Sequence, residues 1–151
     1  MIPEIFKTGI KCLCIDASSM IYHLRIGLLG SLAAEVELIS TPQVLEEVGW
    51  PHLPVRAVQL ENNDITNDDS LLLLAQIHRV PLLSEDRKLL MKADKLGLEY
   101  FNTLMMLNYL FMKGRVEDED YPKILESLSE YAHYSTQVLE YGSTVYEEIK
   151  K

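Results

Sequence analysis

Short apolar runs alternate with stretches of helical periodicity through the first two thirds of the chain. Residues 11–15 form an apolar run that stops at Asp16, the pattern of a strand buried on both faces. Ser18 or Ser19 is placed to cap a helix through residues 20–29. Residues 36–40 read as a second strand. Thr41-Pro42 then supplies a cap and a first-position proline for a helix ending near Gly49-Trp50-Pro51. Residues 55–60 alternate, as an edge strand or variable loop does. Thr66 caps a helix over about 67–78, residues 80–83 make a short strand, and Ser84 caps a helix over 85–96 that Gly97 closes. A last strand covers 98–101, and Asn102 caps a helix over 103–112. Apolar strands alternating with helices predict an α/β fold with a central parallel sheet covered on both faces.

The pattern changes after Lys113-Gly114. Glu117 to Asp120 is a run of four acids, read as a solvated loop. Residues 121–151 read as one or two amphipathic helices carrying Tyr121, Tyr131, Tyr134, Tyr141 and Tyr146. The chain is therefore divided into an α/β domain over 1–115 and a C-terminal helical extension over 116–151. The extension is expected to pack on the same domain or on a partner subunit of a homo-oligomer, most simply a dimer, with its tyrosines as interface anchors.

A length of 151 residues suits one ordinary domain, and a hydrophobic fraction of 48% argues for a packed core rather than disorder. No apolar run approaches the ~20 residues that span a bilayer. The N-terminus lacks a basic start followed by a long apolar stretch, so a cytoplasmic location is expected. Cys12 and Cys14, the two cysteines, are poorly placed for a disulfide on one strand and lack further zinc ligands, which leaves two small core residues. His23, His52, His78 and His133 are scattered without ligand spacing and read as structural or surface residues. Trp50 reads as a packing plug. A net charge of −9 weighs against simple non-specific nucleic-acid binding, which needs a basic footprint.

Four acidic stations carry the candidate chemistry: Asp16 after the first strand, Glu46/Glu47 in the second helix, Asp68/Asp69 behind Thr66, and Asp86 after the 80–83 strand. Each has a local alternative. Asp68 and Asp69 suit the first turn of a helix, where the macrodipole favours negative charge, and Asp69 stands three residues after Thr66 as in a capping box. Asp16 is harder to explain locally, because an acid directly behind a buried strand is costly to desolvate. Ligands of open parallel sheets bind outside the carboxyl ends of the strands, where Asp16 and Asp86 fall. Carboxylates gathered there repel one another unless a divalent cation neutralises them. Magnesium and manganese prefer such oxygen ligands.

The stretches Ile15-Asp-Ala-Ser-Ser-Met-Ile-Tyr22, Ile39-Ser-Thr-Pro-Gln-Val-Leu-Glu-Glu-Val48, Asn67-Asp-Asp-Ser-Leu-Leu-Leu-Leu-Ala75 and Val80-Pro-Leu-Leu-Ser-Glu-Asp-Arg-Lys-Leu89 resemble, in order and context, those of PIN-domain ribonucleases. The resemblance spans roughly residues 10 to 101. The irregular stretch over residues 49–63 departs from the family pattern. The resemblance implies a three-layer α/β/α PIN-like fold and a Mg2+- or Mn2+-dependent endoribonuclease leaving a 5′-phosphate and a 3′-hydroxyl. It implies Asp16 as the first acid with Ser18 two residues later, and Glu47, or else Glu46, as the second. Asp68 or Asp69 is the third, and Asp86 the fourth with Ser84 as its hydroxyl partner.

Such a protein is expected to act on RNA as a toxin of the VapC type with a protein antitoxin, or as an RNA-processing nuclease. Arg79, Arg87, Lys88, Lys92 and Lys95 are the candidate RNA contacts, and Lys88, Lys92 and Lys95 share one helical face. The competing reading is a catalytically silent PIN-like scaffold that binds RNA or protein. A haloacid-dehalogenase-like phosphatase with Asp16 as nucleophile wants a second carboxylate two residues on, where Ser18 stands.

Overall fold

The computed structural model of the protein describes residues 1–62 and 64–151. Asn63, the end of the irregular stretch expected over 49–63, lies outside the described residues. The chain forms two compact units: Lys11–Thr103, and Met1–Ile10 with Leu104–Lys151. The first ten residues contribute α1 (Glu4–Thr8) to the second unit.

The first unit contains β1 (Cys12–Ile15), α2 (Ala17–Arg25), α3 (Leu29–Glu35), β2 (Glu37–Ser40), α4 (Pro42–Val48) and β3 (Arg56–Ala57). It continues with α5 (Asn67–His78), β4 (Leu82–Leu83), α6 (Arg87–Lys95) and β5 (Tyr100–Phe101). All five strands are parallel, in the order β3-β2-β1-β4-β5. The chain moves outward from β1 to β3, then crosses back to β4 and outward again to β5. Right-handed crossovers in opposite directions put α2, α3 and α4 on one face and α5 and α6 on the other. The result is a three-layer α/β/α fold, as expected. Its sheet is buried on both faces: Leu13, Cys14, Ile15, Ile39, Leu82 and Leu83 are fully buried.

The reversal of strand order falls between β1 and β4, which pair through Cys14↔Leu82 and Ile15↔Leu83. A sheet of this kind has its crevice outside the carboxyl ends of the two strands at that switch point. Asp16 and Ser84 are the residues that follow those ends.

Several local expectations are corrected. The helix after β1 is capped by Asp16, whose side chain accepts from the Ser19 N–H, and not by Ser18 or Ser19. It stops at Arg25, because Gly27 turns the chain at φ +72°, and a separate α3 follows. The helix after β4 is capped by Asp86, which accepts from the N–H groups of Lys88 and Leu89, and not by Ser84. Thr41 occupies the position before α4 without capping it, since its hydroxyl is within 3.0 Å of Ser70 Oγ. Thr66 caps α5 as expected, accepting from Asp69 N–H. Trp50 is no packing plug, being 60% exposed. Cys14 is buried and Cys12 half-buried, both as free thiols.

The second unit is helical, with α7 (Thr103–Met112), α8 (Tyr121–Ala132) and α9 (Thr136–Lys150) beside α1. Phe6 of α1 is fully buried with its ring centroid 4.9 Å from that of Tyr109. The Tyr109 hydroxyl accepts from Ile10 N–H at 2.8 Å. Asn108 is a buried polar hub: its amide donates to the Gly142 carbonyl at 3.0 Å, and its oxygen accepts from the Tyr121 hydroxyl. The Tyr121 ring stacks on Tyr146 at 3.8 Å. These two tyrosines thus hold α8 and α9 together inside the unit, while Tyr141 remains exposed. Among the described residues, no helix is long and apolar enough to cross a membrane.

Candidate functional site

The switch point is organised around one buried hydroxyl. Ser84, at the carboxyl end of β4, donates to Asp16 Oδ2 at 2.5 Å and accepts from Asp86 N–H at 2.9 Å. Ser84 is fully buried and Asp16 is 6% exposed. Asp16 Oδ1 also accepts from Ser19 N–H at 2.9 Å, and Ser18 Oγ lies 3.2 Å from both carboxylate oxygens. Burial pushes the Asp16 carboxyl above the usual range, and the hydrogen bonds from Ser84, Ser19 and Ser18 pull it back in part. A carboxylate held by this many donors sits in one orientation.

Asp86 is exposed, with Oδ1 committed to capping α6. Asp68, in the first turn of α5, is half-buried. Burial raises its carboxyl first, and the negative charge of Asp86 adds to that. Glu47 and Asp69 push in the same direction, and Lys92 opposes them. Asp68, Asp86, Glu47 and Lys92 therefore share one electrostatic neighbourhood. Glu47 is held in it by Asn67, whose amide donates to Oε1 at 2.5 Å. Asn67 is in turn held by Gln43, which reaches both Asn67 Oδ1 and the Ile65 carbonyl.

Not every expected residue has a side-chain contact in this group. Glu46 is exposed on α4, and Asp69 is exposed in the first turn of α5, reaching Asp68 by charge alone. Arg79 closes α5 at its far end, eleven residues and about 16 Å of helix from Asp68. Arg87, Lys88, Lys92 and Lys95 all lie exposed on α6, which starts at Asp86. Among the described residues, no three His, Cys, Asp or Glu side chains stand close enough to form a metal-binding group. Asp16 and Asp86 are thus joined through Ser84, and Asp68 feels the charges of Asp86 and Glu47, without a three-residue cage among the described residues.

Sequence reasoning missed the positioning residues Asn67 and Gln43. It also missed Glu85, which accepts from Thr103 N–H at 2.5 Å and anchors the loop after β4. The sequence signal for Asn67 was its place directly before Asp68, and nothing in the local pattern of Gln43 marks it.

A scan of protein families finds no match to the chain, and a search of curated proteins finds none either. Among solved structures, the chain is similar to the PIN domain endonuclease Utp24, with a TM-score of 0.51 and 14% identity. The match covers 60% of this chain and 84% of that one. The protein therefore has a PIN-like fold.

Proposed function

We propose that the protein is a PIN-type endoribonuclease that hydrolyses RNA phosphodiester bonds with magnesium or manganese. The observation that carries the reading is the Asp16–Ser84–Asp86 link at the switch point, with Asp86 and Glu47 both in electrostatic reach of Asp68. The donors fit a hydrated divalent cation. They are hard carboxylate oxygens, and magnesium in particular keeps several waters and takes only one or two carboxylates, so a three-residue cage is not required. Asp16, Asp86 and Asp68 would hold the ion directly or through its bound waters, with Glu47 reaching its hydration shell. When bound, the ion supplies an acidified water near neutral pH and offsets the charge that develops on the phosphate.

The remaining work falls to the chain. Ser84, Ser18 and Ser19 fix the Asp16 carboxylate before substrate arrives, so no reorientation is needed during the reaction. Asn67 fixes Glu47. Exposed Lys88 and Lys92, one helical turn apart, oppose the negative field of the crevice and give phosphate oxygens a place to approach.

The reading is tested by incubating an RNA pool with the protein in magnesium, in manganese and in chelator. Cleavage is expected with either ion, none in chelator, and a loss of about 100-fold or more in Asp16→Asn. Failure of the wild type on every pool would discard it. A second reading, a silent PIN-like scaffold, is favoured by the lack of a three-residue metal-binding group among the described residues and by the net charge of −9.

A further inference from the structure

The exposed side of α6 is cationic. Lys88, Lys92 and Lys95 share it, and the charge of Lys92 reaches Asp68. Arg87, Met91, Asp94 and Lys95 follow the i, i+4, i+7, i+8 spacing of a stripe that borders it. That stripe and Tyr100 of β5 line an open cavity of about 270 Å³, formed by Arg87, Leu90, Met91, Asp94, Lys95 and Tyr100. None of the candidate catalytic acids lines it.

The cavity is an aromatic slot lined by two cations and one carboxylate, Asp94, for a net positive rim. Tyr100 is 39% exposed, Met91 53% and the adjacent Leu96 47%. Among the described residues, five large apolar side chains of the α/β unit are exposed; Met91 and Tyr100 line the cavity and Leu96 directly follows α6, whereas Trp50 and Ile77 belong to other segments. An apolar patch with a charged rim marks a binding surface. The Tyr100 hydroxyl donates to Asp94 Oδ1 at 3.3 Å, which restrains the ring. The volume lies just below the ~300–1,000 Å³ of ordinary small-molecule sites, which suits one planar ring better than a whole ligand.

The slot starts at the crevice and runs away from it along α6. Arg87 is the residue after Asp86, Lys95 stands about 12 Å of helix further on, and Tyr100 pairs with Leu82, two residues before Ser84. Four of the fourteen Lys and Arg residues of this acidic chain lie on the nine-residue α6. Charge complementarity therefore favours an anionic strand with flat, apolar bases.

We infer that the Tyr100 slot is a nucleobase subsite: a single-stranded RNA segment flanking the scissile bond stacks a base on Tyr100 while Arg87 and Lys95 hold the neighbouring phosphates. The inference rests on the RNA reading above and names how the strand is gripped beside the reaction. Stacking on an aromatic ring is tolerant of base identity, so the subsite selects for an unpaired strand rather than for sequence.

The test reads binding alone, so it stands apart from cleavage. Fluorescence anisotropy of a labelled single-stranded RNA is measured in chelator for wild type, Tyr100→Ala, Tyr100→Phe and Lys95→Gln, each checked for folding by circular dichroism. Tyr100→Ala is expected to weaken binding about 5- to 100-fold, and Tyr100→Phe to stay within about 2-fold because the ring is kept. Lys95→Gln should lower the salt slope by about 0.7. RNA carrying 5-iodouridine should photo-cross-link at Tyr100, and a duplex or a mononucleotide should not compete. The inference is overturned by Tyr100→Ala binding as wild type does, or by equal losses in the Ala and Phe variants. A patch whose substitution changes only self-association or protein capture also overturns it. Cleavage that fails while this binding pattern holds would remove the nuclease reading and leave the subsite.

Discussion

The Ser84 hydroxyl donates to Asp16 Oδ2 while accepting from the Asp86 N–H, so one buried side chain joins the ends of β1 and β4 across the switch point. Ser84→Ala removes both bonds. Asp16 loses a donor while buried, and the Asp86 N–H loses its acceptor. The variant is expected to be less stable by about 1–3 kcal/mol in urea unfolding. Its cleavage rate should fall about 10- to 100-fold, because Asp16 is no longer fixed.

Asp68 and Asp69 are neighbours in sequence with different surroundings. Asp68 is half-buried and feels Asp86 and Glu47, whereas Asp69 is exposed. Asp68→Asn should therefore cut RNA cleavage by about 100-fold, while Asp69→Asn stays within about 3-fold. Steady-state rates on one RNA substrate separate the two.

His23 supplies a pH dependence of stability. It is fully buried, its Nδ1 lies 2.8 Å from the Ser19 carbonyl and so carries the proton, and Nε2 has no partner. Burial holds its pKa down to about 4. An unfolded imidazole takes up a proton near 6.5, so the unfolded chain binds more protons between these values and stability falls as pH drops through that window. Wild type should lose about 3 kcal/mol from this group between pH 7 and 4. His23→Gln should flatten that part of the profile in urea titrations at stepped pH.

Gly142 sets the contact between α7 and α9. A Cβ there would lie 2.6 Å from Leu104 Cδ2 and 3.0 Å from its Cγ. Alanine gains about 1 kcal/mol of helix propensity, but overpacking against a side chain only 2% exposed costs about 1–3 kcal/mol. Gly142→Ala is therefore expected to be destabilised, and thermal melting should show a lower Tm.

The sheet was largely legible from the chain because β1, β2, β4 and β5 are short, mostly apolar runs followed by a polar residue, while the exposed two-residue β3 left only a weak trace, and Thr66 and Pro42 mark their helices without ambiguity. The caps of α2 and α6 were misread for one physical reason. Asp and Ser are both good caps, and local sequence does not show that Ser18 and Ser84 turn toward Asp16. Three-dimensional pairing decides it. The neighbourhood of Asp16, Ser84 and Asp86 was visible as acids behind strands, while the Asn67–Glu47 contact joins residues twenty apart and left no periodic trace. Trp50 was misread because its Gly and Pro neighbours suit a buried turn and an exposed one equally. Tyr100 was overlooked because its role depends on α6 lying beside β5.

Calorimetric titration with manganese tests most directly whether these separate carboxylates share an ion. Wild-type protein should give a saturable heat that Asp16→Asn and Asp68→Asn each abolish or weaken at least tenfold, while Asp69→Asn retains it. A wild-type protein that evolves no heat, or an Asp16→Asn variant that binds manganese as tightly as its parent, would contradict the account.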